Sequence, residues 1–171
     1  MGGAMTWSTL GTDVSIANDR HVHPFIPAKA MTLDRIGVQV TAAIAGSNLR
    51  LGIYADGGNL YPSSLIVDAG SVSAATTGPK LVTISVAVTA GTLYWLCCHA
   101  SANAIQRRTL QQGDAMPLLG FNQPVGVGTP LVAAGWFHNT AFGALPDPFP
   151  AGASPYVLGS GVNPCVFVRG T

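Results

Sequence analysis

The segment Met31-Thr-Leu-Asp-Arg-Ile-Gly-Val-Gln-Val-Thr41 decides the fold class of this chain. In an extended backbone, successive side chains point to opposite sides. One side carries Leu33, Arg35, Gly37 and Gln39, and the other side carries Asp34, Ile36, Val38 and Val40. After the first residues one side is mixed and the other is aliphatic, which is typical of a half-buried β-strand. The segment therefore predicts a strand.

Similar patterns recur along the chain. They predict further strands at about 49–55, 65–72, 80–88, 92–99, 105–112, 131–137 and 165–169. Asp56-Gly57-Gly58-Asn59 has the residues of a tight hairpin turn, and Gly70 suggests a bulge. We expect an all-β protein, a jelly-roll-like antiparallel β-sandwich of about eight strands with long loops rich in Pro and Gly.

The composition agrees with this fold class. Charged residues make up 9% of the 171 residues, against about 25% in ordinary soluble domains. All seven acids are Asp, and the lack of Glu argues against a helical bundle. The net charge of +1 predicts no nucleic-acid partner. We also expect no membrane insertion and no secretory signal, because no unbroken apolar run is long enough and no basic N-terminal segment precedes one.

The chain divides into two regions of different character. Residues 1–24 have no clear period and predict an N-terminal arm, an attachment segment or a loosely attached first strand. Residues 25–171 form the expected sandwich domain. Its last third, about 113–164, holds most of the prolines and predicts long loops, which are usually functional or held by a partner.

The block from about residue 25 to 99 resembles the β-sandwich modules of tailed-bacteriophage virion proteins: tail-fibre, minor tail, and head-fibre or decoration proteins. The resemblance rests on Met31–Val38, on Leu49-Arg-Leu-Gly-Ile-Tyr54, on Tyr61-Pro62 with Leu65-Ile66, and on Gly91-Thr-Leu-Tyr-Trp-Leu96. It implies a homotrimeric structural protein, assembled in the host cytoplasm and located in the virion. The low charge agrees, because assembly interfaces are depleted in Lys, Glu and Asp.

Few residues indicate chemistry. His21 and His23 lie on one side of an extended segment, as two ordinary histidines or, across a threefold axis, as a metal site similar to the His-x-His sites of some phage fibres. The chain lacks Gly-x-Ser-x-Gly, His-Glu-x-x-His and a phosphate-binding loop, so we expect no enzyme and no cofactor. Cys97 and Cys98 point to opposite faces of a strand, and either could be free or bridge Cys165.

The aromatic residues of the Pro-rich region are candidates for contact with a receptor or a partner protein. They are Trp136, Phe137, His138, Phe142 and Tyr156. Rings on loops can stack on sugars or anchor a partner, although Trp136 and Phe137 also fit a strand that contributes to the core. The sequence thus predicts a non-enzymatic structural component of a phage particle that assembles through uncharged sandwich faces with its own copies and neighbouring virion proteins. The alternative is a carbohydrate-binding module that recognises a host-surface glycan.

Overall fold

A computed structural model describes residues 11–109, 121–122, 131–158 and 164–171. These residues form twelve β-strands and no helix. The strands are β1 (Gly11–Val14), β2 (Asp19–Phe25), β3 (Met31–Ala42), β4 (Asn48–Asp56), β5 (Pro62–Ser73), β6 (Gly78–Val88), β7 (Tyr94–Ala100), β8 (Gln106–Thr109), β9 (Phe121–Asn122), β10 (Leu131–Asn139), β11 (Ser154–Leu158) and β12 (Val166–Gly170).

All the strand pairs are antiparallel, and they form two sheets. In sheet A, β6 lies on one side of β3, while β12 and β8 lie on its other side and β1 pairs with β8. In sheet B the order is β11-β10-β2-β7-β4-β5, with β9 beside the start of β10. The predicted all-β sandwich is confirmed, and its jelly-roll connectivity stays a prediction.

The main core lies between the sheets. Aliphatic residues of β3, β6 and β12 from sheet A meet those of β4 and β7 from sheet B. The central members are Leu33, Ile36, Val38, Val40, Leu49, Leu51, Ile53, Val86, Leu96 and Val166. The alternation that predicted β3 is therefore a direct consequence of burial on one side. Leu33 is an exception to the predicted sides, because a register shift between Leu33 and Arg35 turns it into the core.

Local turn predictions are confirmed. Asp56 to Asn59 joins β4 to β5, where the Gly57 N–H donates to the Tyr61 carbonyl at 2.8 Å. The register of β4 with β5 shifts next to Gly70, which is the expected bulge.

Of the alternatives for residues 1–24, residues 11–24 form strands and not a free arm. β1 pairs with β8 in sheet A, and β2 lies between β7 and β10 in the middle of sheet B. Both faces of β2 are covered and each carries polar residues, so the strand has no clear alternation of polar and apolar side chains. Residues 1–10 lie outside the described residues. The twelve strands exceed the expected eight by β1, β2, β9 and β11.

Candidate functional site

The outer face of sheet A carries an apolar patch around Gly37 in β3. Leu81 is 52% exposed and Phe167 is 37% exposed. A Cβ on Gly37 would lie 2.6 Å from Leu81 Cδ2 and 2.8 Å from Phe167 Cε2, so the two side chains close over the glycine. We call these three residues the Gly37 patch. Val14, 54% exposed, adds an apolar side chain on β1 of the same sheet.

The rest of this outer face is mostly uncharged. The exposed side chains of β6 near the patch are Thr83, Ser85 and Ala87. The charged exceptions on β3 and β12 are grouped around one carboxylate: Arg169 Nε donates to Asp34 at 2.9 Å, and Arg35 lies 3.9 Å from the same carboxylate. The hydrogen bond from Arg169 lowers the pKa of Asp34. This face therefore has the low charge that an assembly interface favours.

Two long strand edges border one side of the sandwich. β5 has twelve residues and β6 has eleven, and in the described part of the chain each pairs with a neighbour on one side only. Native edges are commonly protected by charges, prolines or short length. Here Asp68 and Lys80 are the only charged residues, and Pro62 and Pro79 stand only at the strand beginnings.

The outer face of sheet B has a different environment, because residues 140–153 fold across it. We call this segment the cover. Leu145 and Phe149 of the cover are buried against Tyr54 and other residues of the sheet. The Tyr54 hydroxyl donates to the Pro146 carbonyl at 3.0 Å, and the Tyr61 hydroxyl donates to the Pro150 carbonyl at 2.6 Å. The Pro-rich segment thus supplies a second core on the far side of sheet B.

The five aromatic candidates do not form one surface. In the register of β10 with β2, Trp136 lies opposite Val22 and His138 opposite Arg20, on the outer side of sheet B. The Trp136 indole donates to the Leu60 carbonyl at 2.8 Å, and its ring lies 4.9 Å from that of Tyr61.

Phe142 belongs to the same outer side, where its ring lies 5.1 Å from His99. Phe137 and Tyr156 instead contact His21 on the inner side, with ring centroids at 6.1 and 4.6 Å. Sheet B thus separates the five residues into two groups, and contact with a receptor stays a prediction for each.

His21 and His23 lie on the same side of β2, as the sequence indicated, but that side faces sheet A. His21 is almost fully buried, and His23 Nε2 lies 3.3 Å from the Val166 carbonyl oxygen of β12. Burial lowers the pKa of His23 to about 4. In the described residues, no group of three or more His, Cys, Asp or Glu side chains is arranged for a metal ion.

The same interior holds an ion pair that joins β1 to β8. Arg107 is fully buried, its Nη2 donates to Asp13, and its Nη1 lies 3.5 Å from Cys98 Sγ. Cys97 and Cys98 belong to opposite cores, as expected, and the three cysteines including Cys165 are free thiols. Burial raises the pKa of both adjacent thiols.

One feature of sheet B was missed by the sequence reasoning. His138, Arg20, His99 and Arg50 lie side by side on adjacent strands of the outer face. These positions are far apart in sequence, so only the strand register brings them together. A useful signal was Arg20 itself, since an arginine in a short strand needs a charged or hydrogen-bonded neighbour.

Within the described residues, no helix is long and apolar enough to cross a membrane. Comparison of the chain with models of protein families, with curated proteins and with solved structures finds no match in any of the three.

Proposed function

We propose that this chain is a non-enzymatic structural component of a bacteriophage particle, whose copies assemble through the outer face of sheet A. The observation that carries the proposal is the contrast in cover: the chain covers the outer face of sheet B itself and leaves the Gly37 patch exposed. The resemblance of residues 25–99 to phage virion modules supports the particle as the setting.

The occupant of this face is a second copy of the chain. The cover occupies the start of the β5 edge, where the Phe149 N–H donates to the Ser63 carbonyl and the Leu65 N–H donates to Asp147. The rest of the β5 edge, the edge of β6 and the Gly37 patch are different surfaces of one molecule. Contact between the patch of one copy and the edge of the next is head-to-tail, and head-to-tail contacts with the right rotation close a ring. The resemblance implies three copies. Low charge on both surfaces favours such contact, since few ions would lose water.

The test is the molar mass in solution, measured by size-exclusion chromatography with light scattering over a range of concentrations. We expect a mass three times that of the 17.5 kDa chain. The double variant Leu81→Asp and Phe167→Asp places two charges in the patch and is expected to give a monomer. Ile26→Asp is the matched control, because Ile26 is 46% exposed in the loop between β2 and β3.

A wild-type protein that stays monomeric at all concentrations would contradict assembly through sheet A. If that monomer also binds a glycan array, the carbohydrate-binding alternative is favoured. In that case Trp136 is the first residue to replace, because it belongs to the aromatic group on the outer side of sheet B.

A further inference from the structure

A row of basic residues crosses the outer face of sheet B. His138 lies opposite Arg20, Arg20 opposite His99, and His99 opposite Arg50, across four adjacent strands. Directly opposite residues on one face of a sheet have Cβ atoms about 4.5–5.5 Å apart. The row therefore places two arginines and two histidines next to one another.

Arg50 has its own counter-ion. Its guanidinium makes three hydrogen bonds to the Asp68 carboxylate, at 2.7, 2.8 and 3.0 Å. Arg20 has no such partner. It is 2% exposed, and neither its Nε nor its Nη1 has a hydrogen-bond partner among the described residues. A buried cation without a partner is costly, so the site has a strong preference for an anion.

The described acids are already engaged elsewhere. Each one accepts a hydrogen bond from a donor other than Arg20. These interactions are Asp13 with Arg107, Asp19 with Asn139, Asp34 with Arg169, Asp56 with Trp95, Asp68 with Arg50, and Asp147 with the Leu65 N–H. None of these carboxylates forms an ion pair with Arg20, so the described part of the chain supplies no counter-ion for it.

The surroundings of Arg20 add an unpaired ring nitrogen and a covering segment. His138 Nδ1 is buried without a partner, on the neighbouring strand. His99 Nε2 lies 3.1 Å from the Thr140 carbonyl, and its ring contacts Phe142, so the first turn of the cover lies over this part of the row. A group held here would be shielded from water, which strengthens a charge-assisted hydrogen bond.

We propose that Arg20, between His99 and His138, binds a small oxoanion, namely the carboxylate or phosphate group of a ligand. The planar guanidinium presents several donors in a fixed fork that matches both groups. This site goes beyond the proposed assembly function, because it lies on the face opposite to the Gly37 patch and uses none of its residues.

The experiment uses the full chain and two probes, inorganic phosphate and glucuronate. Binding is measured by isothermal titration calorimetry at constant ionic strength, with sodium chloride replacing each probe in the reference. Arg20→Met retains much of the side-chain length and removes the charge, and we expect at least about a tenfold loss of affinity. Arg35→Met on sheet A is the matched control and is expected to bind like the wild type.

If Arg20→Met does not fold, His138→Phe tests the site while it retains an aromatic ring. We expect about a threefold to tenfold loss of affinity, because only one hydrogen bond to the anion is removed. Saturable binding of either probe that these variants weaken supports the site, and the preferred probe identifies phosphate or carboxylate as the ligand group. The proposal is overturned if the wild type binds neither probe, or if a folded Arg20→Met binds as well as the wild type. Either result would be independent of the oligomer test.

Discussion

The two outer faces of the sandwich differ in how they are covered. On sheet B, the cover buries Leu145 and Phe149 and makes hydrogen bonds to Tyr54 and Tyr61. On sheet A, Leu81 and Phe167 stay in contact with solvent. The same kind of β-sheet is thus completed within the chain on one side and left open on the other. In the proposed assembly, the open face rather than the Pro-rich segment contacts another copy.

The largest effect is expected when the cover loses its main anchor. Phe149 is 4% exposed and its ring lies 5.1 Å from that of Tyr54, so Phe149→Ala leaves a cavity against the sheet. We expect the free energy of unfolding to fall by about 3–5 kcal/mol. Urea denaturation measures it. The matched variant Phe167→Ala on sheet A is expected to cost less than about 1 kcal/mol in the monomer, since the ring is 37% exposed. Equal losses would contradict the contrast between the faces.

A smaller effect concerns pH on the covered face. Burial, with a contribution from Arg20, lowers the pKa of His99 from 6.5 to about 4. Between these values the unfolded chain binds a proton that the folded chain does not, so stability falls as the pH falls from about 6.5 to about 4. The contribution of His99 to this loss is about 3 kcal/mol.

His99→Gln is expected to remove that contribution, as seen by comparing urea denaturation at pH 7 and pH 4.5. His23 also has a pKa lowered to about 4, so part of the acid loss remains in this variant. His23→Gln is therefore the companion variant, and the two should act additively. An unchanged acid loss in His99→Gln would count against a buried neutral His99.

The smallest effect is expected from replacing one aspartate on each outer face. Asp68 accepts hydrogen bonds from Arg50 and, at 3.0 Å, from the Leu145 N–H of the cover. Asp68→Asn weakens these bonds, and we expect the free energy of unfolding to fall by about 1–2 kcal/mol. Asp34→Asn on sheet A removes an exposed pair with Arg169 and is expected to leave the unfolding midpoint unchanged. Chemical denaturation of both variants makes the comparison, and a larger loss for Asp34→Asn would reverse it.

Sequence patterns predicted the strands that have one buried side. β3 and β6 alternate because one of their sides meets the core and the other meets solvent. β2 was missed because its histidines face sheet A while Val22 faces the second core, so that neither side is simply polar. A pattern of period two reports the difference between the two sides of a strand, and this strand has little difference to report.

The prediction of candidate residues failed where it depended on strand register, and it held where it depended on residue type. His21 and His23 were correctly placed on one side, but the sequence could not say that this side faces the other sheet. Trp136 and Phe137 are neighbours in sequence and lie on opposite sides of β10, as the strand alternative allowed. Arg20 and His99 become neighbours only through the pairing of β2 with β7, which no local pattern specifies.

The way in which the cover is attached has a consequence for sequence divergence. Tyr54 and Tyr61 donate to the main-chain carbonyl groups of Pro146 and Pro150, and every amino acid offers a carbonyl group at those positions. The Phe149 N–H likewise donates to the Ser63 carbonyl at 2.8 Å. Such contacts recognise the path of the backbone and not the identity of the exposed side chains. We therefore expect homologous chains to keep the two tyrosines and the shape of the cover while its solvent-facing positions vary freely.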